Sequence, residues 1–151
     1  MNTIRSFEDL KCWQACRALR LFVAHEVLPK LPREEQYRLA DQMIRAARST
    51  TANIAEGYGR FHYMDNAKYC SNARGSCYEV LDHLIAGNDG GIVSDDLLVK
   101  GRTLVADAVR MINGYLNYLH KAGKQNVVRE SSSEEIYAFP VCYDVAHPIA
   151  Q

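Results

Sequence analysis

Few residues in this chain of 151 have both the type and the spacing to do chemistry. Glu79 and His83 stand four apart, so on a helix they share a face and could hold a metal ion together. That pair supplies only two ligands, whereas a closed metal site needs about four. A carboxylate-bridged di-iron bundle requires Glu-x-x-His on two helices, and the chain contains no such tetrad. Cys70 and Cys77 fall on an apolar helical line, where burial keeps a thiol protonated and inert. "GNDGG" has neither the Lys nor the preceding strand of a phosphate-binding loop. The sequence therefore predicts no catalytic residue, no metal site, no cofactor and no small-molecule substrate.

The polar residues that do recur at helical spacing suggest contact rather than catalysis. In "QMIRAARSTTANIAEGYGR" the apolar line is flanked, one residue earlier, by Gln42, Arg45, Ser49, Asn53, Glu56 and Arg60. A second line is flanked in the same way by Asn72, Ser76, Glu79 and His83. Both seams sit at the border of a buried face, where hydrogen-bonding groups lose water and need partners. Small residues lie beside them: Ala46, Ala47, Gly57, Ala73 and Gly75. A glycine inside a helix costs up to about 1 kcal/mol relative to alanine, so Gly75 calls for a packing reason. Two readings fit these seams: solvated faces whose charges pair at i,i+4, or a self-complementary surface that holds Arg45 and Glu56 in bonds between subunits.

A nucleic-acid surface is the rival reading. Arg48 and Arg60, with Tyr58 and Phe61 as stacking groups, could contact a single strand, with Lys11, Arg17, Arg20, Arg38 and Arg45 adding charge. Against it, eighteen basic residues balance eighteen acidic ones, which removes the long-range attraction to phosphate. "YGRFHY" also reads as an aromatic corner packed under a turn.

These residues need elements to position them, and the periodicity is helical throughout four segments. The sequence predicts an all-α, antiparallel up-down-up-down four-helix bundle over residues 1–123, followed by an extended or flexible tail over 124–151. The first helix starts at Ser6, with Asp9 completing a capping box, and runs to about Leu28, before Pro29 and Pro32. Its stripe is Cys12, Cys16, Leu19, Val23 and Val27. The second begins near Pro32 or Arg33 and stops around Gly57, with Leu39, Met43, Ala46, Thr50 and Ile54 inward. The third runs from an Asp65 cap to Ala86, with Cys70, Ala73, Cys77, Val80 and Leu84 inward. The fourth starts at a Ser94 cap, carries Leu98, Val105, Ala108, Ile112, Tyr115 and Leu119, and ends at Gly123. Five cysteines without a C-x-x-C pair fit a reducing cytoplasm. The N-terminus lacks the apolar core of a signal peptide, and no stretch is long and apolar enough for a membrane span.

"SFEDLKCWQAC", "LPREEQYRLADQMIRAARSTTANIAEGYGR" and "ARGSCYEVLDHL" resemble the small four-helix-bundle proteins encoded in intervening sequences of bacterial 23S ribosomal RNA genes. The resemblance leaves the tail beyond Gly123 uncovered, and Arg38 stands where that family commonly has a small residue. It implies a homopentamer without known enzymatic activity. It also implies a relation to accessory proteins of diversity-generating retroelements, which bind nucleic acid and a reverse transcriptase. Carried onto this chain, it assigns Arg45, Asn53, Glu56, Gly57, Gly75, Ser76 and Glu79 to a subunit surface, and the periodicity adds Ser49. The expected partners are thus further copies of the chain and, as the alternative, RNA or a nucleoprotein.

Overall fold

A computed structural model describes residues 4–60 and 62–132, with side chains described as far as residue 125. Among the described residues every regular element is helical: α1 (Lys11–Phe22), α2 (Leu39–Tyr58), α3 (Tyr63–Asp89) and α4 (Asp95–Ser132). The helices pack in a ring, α1 on α2, α2 on α3, α3 on α4 and α4 on α1. Direction follows from paired contacts. Leu39 lies against Gly87 and Ser49 bonds Ser76, while Gly57 meets Asn66, so α2 and α3 run antiparallel. Arg74 bonds Asn113, and Leu84 meets Gly101, which sets α4 antiparallel to α3.

The start of the chain follows the capping logic with one shift. Ser6 accepts a bond from the Glu8 amide, and the Asp9 carboxylate accepts from the Ser6 amide, as the sequence predicts. The box, however, closes a short 3-10 turn at Phe7–Asp9, and extended Leu10 separates that turn from α1. After Phe22 the helix widens into a π-turn (Val23–Val27) and then tightens at Leu28–Lys30, ahead of the extended Leu31 and Pro32.

Four boundaries differ from expectation, the simplest being the end of α3, at Asp89 instead of Ala86. The helix expected from Pro32 or Arg33 begins at Leu39, because Arg38 leaves the helical region (φ −119°, ψ −99°) and Arg33–Glu35 forms a separate turn. The Glu35 carboxylate then accepts from the Leu39 amide, taking one of the unpaired donors at the start of α2. His62, not Asp65, precedes α3, and it makes no side-chain cap bond. Finally, α4 does not stop at Gly123 but continues to Ser132, across the expected boundary of bundle and tail. Gly123 is buried against Met64 at the start of α3, so it serves packing there and not chain reversal. Ser94 does cap α4, accepting from the Leu97 amide. Residues 133–151, which hold the rest of the tail, lie outside the described residues.

The inward lines predicted for α1, α2 and α3 are buried, apart from half-buried Leu39. On α4, Leu97 is buried in place of Leu98, alongside Val105, Ala108, Ile112 and Leu119. At the centre Cys16 and Cys77 meet across the bundle diagonal, sulfur to sulfur at 4.0 Å. Burial pushes the Cys12 and Cys70 thiols up to about 12, and Cys16 is raised further, chiefly by its hydrogen bond to Cys77. These cysteines act as small core residues. No helix among the described residues is long and apolar enough to cross a membrane.

Gly57 marks a close approach of α2 and α3. A Cβ there would stand 2.8 Å from Asn66 Oδ1, 2.9 Å from Tyr69 Cβ and 3.1 Å from the Asn66 carbonyl oxygen. Gly57→Ala is expected to cost about 1–3 kcal/mol, because backbone as well as side chain must give way. Urea unfolding should show a lower midpoint at an unchanged slope.

Candidate subunit interface

The α2–α3 seam is the first place to test the polar lines. Ser49 and Ser76 bond each other at 2.8 Å, and Ser76 also donates to the Asn72 carbonyl. Asn53 donates from its amide to the Ser49 carbonyl and to Ser49 Oγ, both at 2.9 Å. Three of the predicted surface residues thus satisfy one another inside the chain, where α2 meets α3. Gly57 is buried at the same seam, at the end where α3 begins. The N-I-A-E-G run therefore has a clear intrachain use.

Its anchor is Asn66, which occupies the space that the missing Gly57 side chain leaves. Asn66 donates to the Tyr115 hydroxyl of α4 at 3.1 Å and accepts from the Cys70 thiol. One buried amide therefore ties three helices. Burial pushes the Tyr115 phenol up to about 12, and Tyr115 stacks on Tyr118, with ring centroids 6.1 Å apart.

Outside the seam the predicted residues divide. Arg45 pairs with Asp41 at 2.8 Å on the surface of α2. Glu56 pairs with Arg60, whose guanidinium also donates to the Tyr69 hydroxyl and lies over the Tyr69 ring. Arg60 thus has two partners within the chain, Glu56 and Tyr69. Tyr58 packs half-buried against the core, Phe61 lies outside the described residues, and Arg48 is exposed. Glu79 is exposed and stands 3.8 Å from His83, whose Nε2 is buried without a hydrogen-bond partner. Among the described residues no group of three or more metal-ligating side chains converges.

Gly75 is the exception that points outward. It is exposed in the middle of a 27-residue helix, and a Cβ built on it meets nothing within 4 Å. Around it Met64, Lys68, Ser71, Gly75, Tyr78 and Asp82, all exposed, recur at steps of four and three along one outer line of α3. Met64 (56%) and Tyr78 (54%) are exposed large side chains on that line, and the small Ser71 and Gly75 lie between them. Gly114 of α4 has the same empty surroundings, next to the Asn113 that bonds Arg74. Sequence reasoning singled out Gly75 but missed Met64, Tyr78 and Gly114. The signal was available in the outward 3-4 spacing and in a second helix-interior glycine.

A model of the 23S rRNA-intervening sequence protein family matches residues 8–114. No curated protein matches the chain. The family match takes in the seam and the α3 line and ends within α4.

The Glu56 carboxyl is held below its ordinary range, first by the Arg60 hydrogen bond and then by Tyr69. A depressed acid contributes stability above its unfolded range and loses it as pH falls. The melting-temperature gap between the native chain and Glu56→Gln should therefore be largest near neutral pH and close as pH falls through the carboxylate range. Calorimetry at stepped pH checks this, and a gap that stays constant contradicts it.

Proposed function

The chain belongs to the 23S rRNA-intervening sequence protein family, and on that premise we propose that it acts without catalysis, as a self-assembling helical building block. The observation that carries this reading is the outer line of α3. In a solitary chain Gly75 weakens a long helix by up to about 1 kcal/mol and gains nothing in return, since no atom occupies the space beside it. A second copy resting on Ser71 and Gly75, between Met64 and Tyr78, supplies the missing return by close approach and apolar burial. Five copies is the number that the family resemblance implies. The thiols of the core cysteines, pushed up by burial, add weight to a non-catalytic reading.

Gly75→Gln tests the interface without endangering the fold, since glutamine is a better helix former and has open space. Light scattering on the native chain should report a discrete multiple of 17.1 kDa, with five as the expected count. The variant should scatter as a single chain while keeping its helix content. An unchanged oligomer would move the contact elsewhere, and a monomeric native chain would end the reading.

One observation favours nucleoprotein work as a second role. Arg20 donates to Thr51 across α1 and α2, Arg17 lies one turn before it, and Arg48 one turn before Thr51. None of these three arginines forms an ion pair among the described residues. Repeated around an assembly, this strip would make a basic band on a neutral protein. The double variant Arg17→Ala/Arg48→Ala should weaken single-stranded RNA binding. It should also lower the slope of log K against log salt by about 1.4, since each lost phosphate contact removes about 0.7. RNA binding that is unaffected would exclude the strip.

A further inference from the structure

The connector between α1 and α2 forms an open cleft of about 690 Å³. Leu28, Pro29, Leu31, Pro32, Ala40 and Ile44 line it together with Tyr37, and Arg33, Gln36 and Asp41 add polar groups. Tyr37 is 87% exposed, the most exposed large apolar side chain among the described residues. No described side chain covers it, and its position at a proline-bracketed turn does not require an aromatic ring.

The sequence beyond α4 holds a segment of matching chemistry. In "YAFPVCYDV", residues 137–145, the large apolar side chains Tyr137, Phe139, Val141, Tyr143 and Val145 alternate with Ala138, Pro140, Cys142 and Asp144. A period of two places all five on one side of an extended chain. Prolines at 140 and 148 suit an extended ligand and oppose a helix. The family match ends at residue 114, before this segment begins.

Reach decides which cleft the segment can enter. Lys100 of α4 pairs with Glu26, which lies just before the connector and so marks the level of the cleft. From Lys100 to Ser132 the helix rises about 48 Å away from that level, at about 1.5 Å per residue. Returning over that distance takes about 14 fully extended residues at about 3.4 Å each, which uses up 133–146. The alternating run would be spent in crossing before it reached its own cleft. A neighbouring copy has no such constraint.

We propose that residues 137–145 of one copy lie extended in the α1–α2 connector cleft of another, the odd-numbered side chains facing Leu31, Tyr37 and Ile44. The inference rests on the self-assembly proposed above and adds a strap to the α3 contact. Cross-linking of the full-length chain tests it. The chain carries a benzophenone amino acid in place of Tyr37, and labelled and unlabelled copies are mixed under assembling conditions. The expected product joins position 37 to a peptide from 137–145, with mixed-isotope pairs at the frequency of random mixing. Phe139→Asp should abolish that product and leave the scattering mass unchanged. A discrete oligomer without tail cross-links, or with same-isotope pairs alone, overturns the strap and leaves self-assembly standing. A native chain that scatters as a monomer overturns both.

Discussion

Asn66 is the constraint on which the arrangement turns. An amide side chain, 7% exposed, must find partners on more than one side, or its burial is costly. It finds Tyr115 on α4 and Cys70 on its own helix, and it stands where a side chain at position 57 would otherwise be. Gly57 is therefore not replaceable by a small residue in general, since even one carbon would fall within 2.9 Å of α3. Once α2 and α3 are this close, the Ser49–Ser76 bond forms two turns away, and Tyr115 draws α4 onto the same joint. Fixing one crossing thus fixes the relative depth of three helices, and the cysteine-lined centre packs behind it.

Much of this was legible in the sequence, and the boundary of legibility has a physical form. Apolar periodicity laid its lines on α1, α2 and α3 along positions that are buried apart from half-buried Leu39, because a bundle core repeats at the helical period, but those lines passed over buried Ala47, Thr51, Ala67 and Gly87. Ser94 and the Ser6–Asp9 pair were readable because capping is a local bond between near neighbours. Arg38 was not, because its non-helical backbone comes from how the connector returns the chain to α2 and not from its own propensity. Gly123 misled for a similar reason. A glycine can end a helix, but here it lies inside one, where a Cβ would stand 3.1 Å from the sulfur of Met64, a residue 59 positions away.

The polar seam shows the same limit at the candidate site. Periodicity places Ser49, Asn53 and Ser76 at the edge of the buried face, and that placement holds. It carries no information on which element lies beyond the edge, because a helix of the same chain and a helix of another copy ask for the same residue types. Bonds within the chain satisfy Ser49, Asn53 and Ser76, whereas Gly75, beside these lines, has no atom of the chain where its side chain would stand.

Gly75 and Gly57 cost the helices a similar amount of backbone entropy, yet they stand in opposite surroundings. Gly57 recovers its cost within the chain, by letting Asn66 in. For Gly75 the chain offers nothing, and the neighbouring Tyr78 and Met64 remain more than half exposed in water. Exposed apolar residues taken singly need no explanation. Here they lie on one helical line with a glycine that an isolated helix would be better without, and a single surface laid along α3 would relieve both. An RNA strand is poorly suited to that surface, since the line carries one lysine and one aspartate and no arginine. A helix of another copy, apolar on one ridge and narrow enough to approach a missing side chain, would satisfy both demands at once.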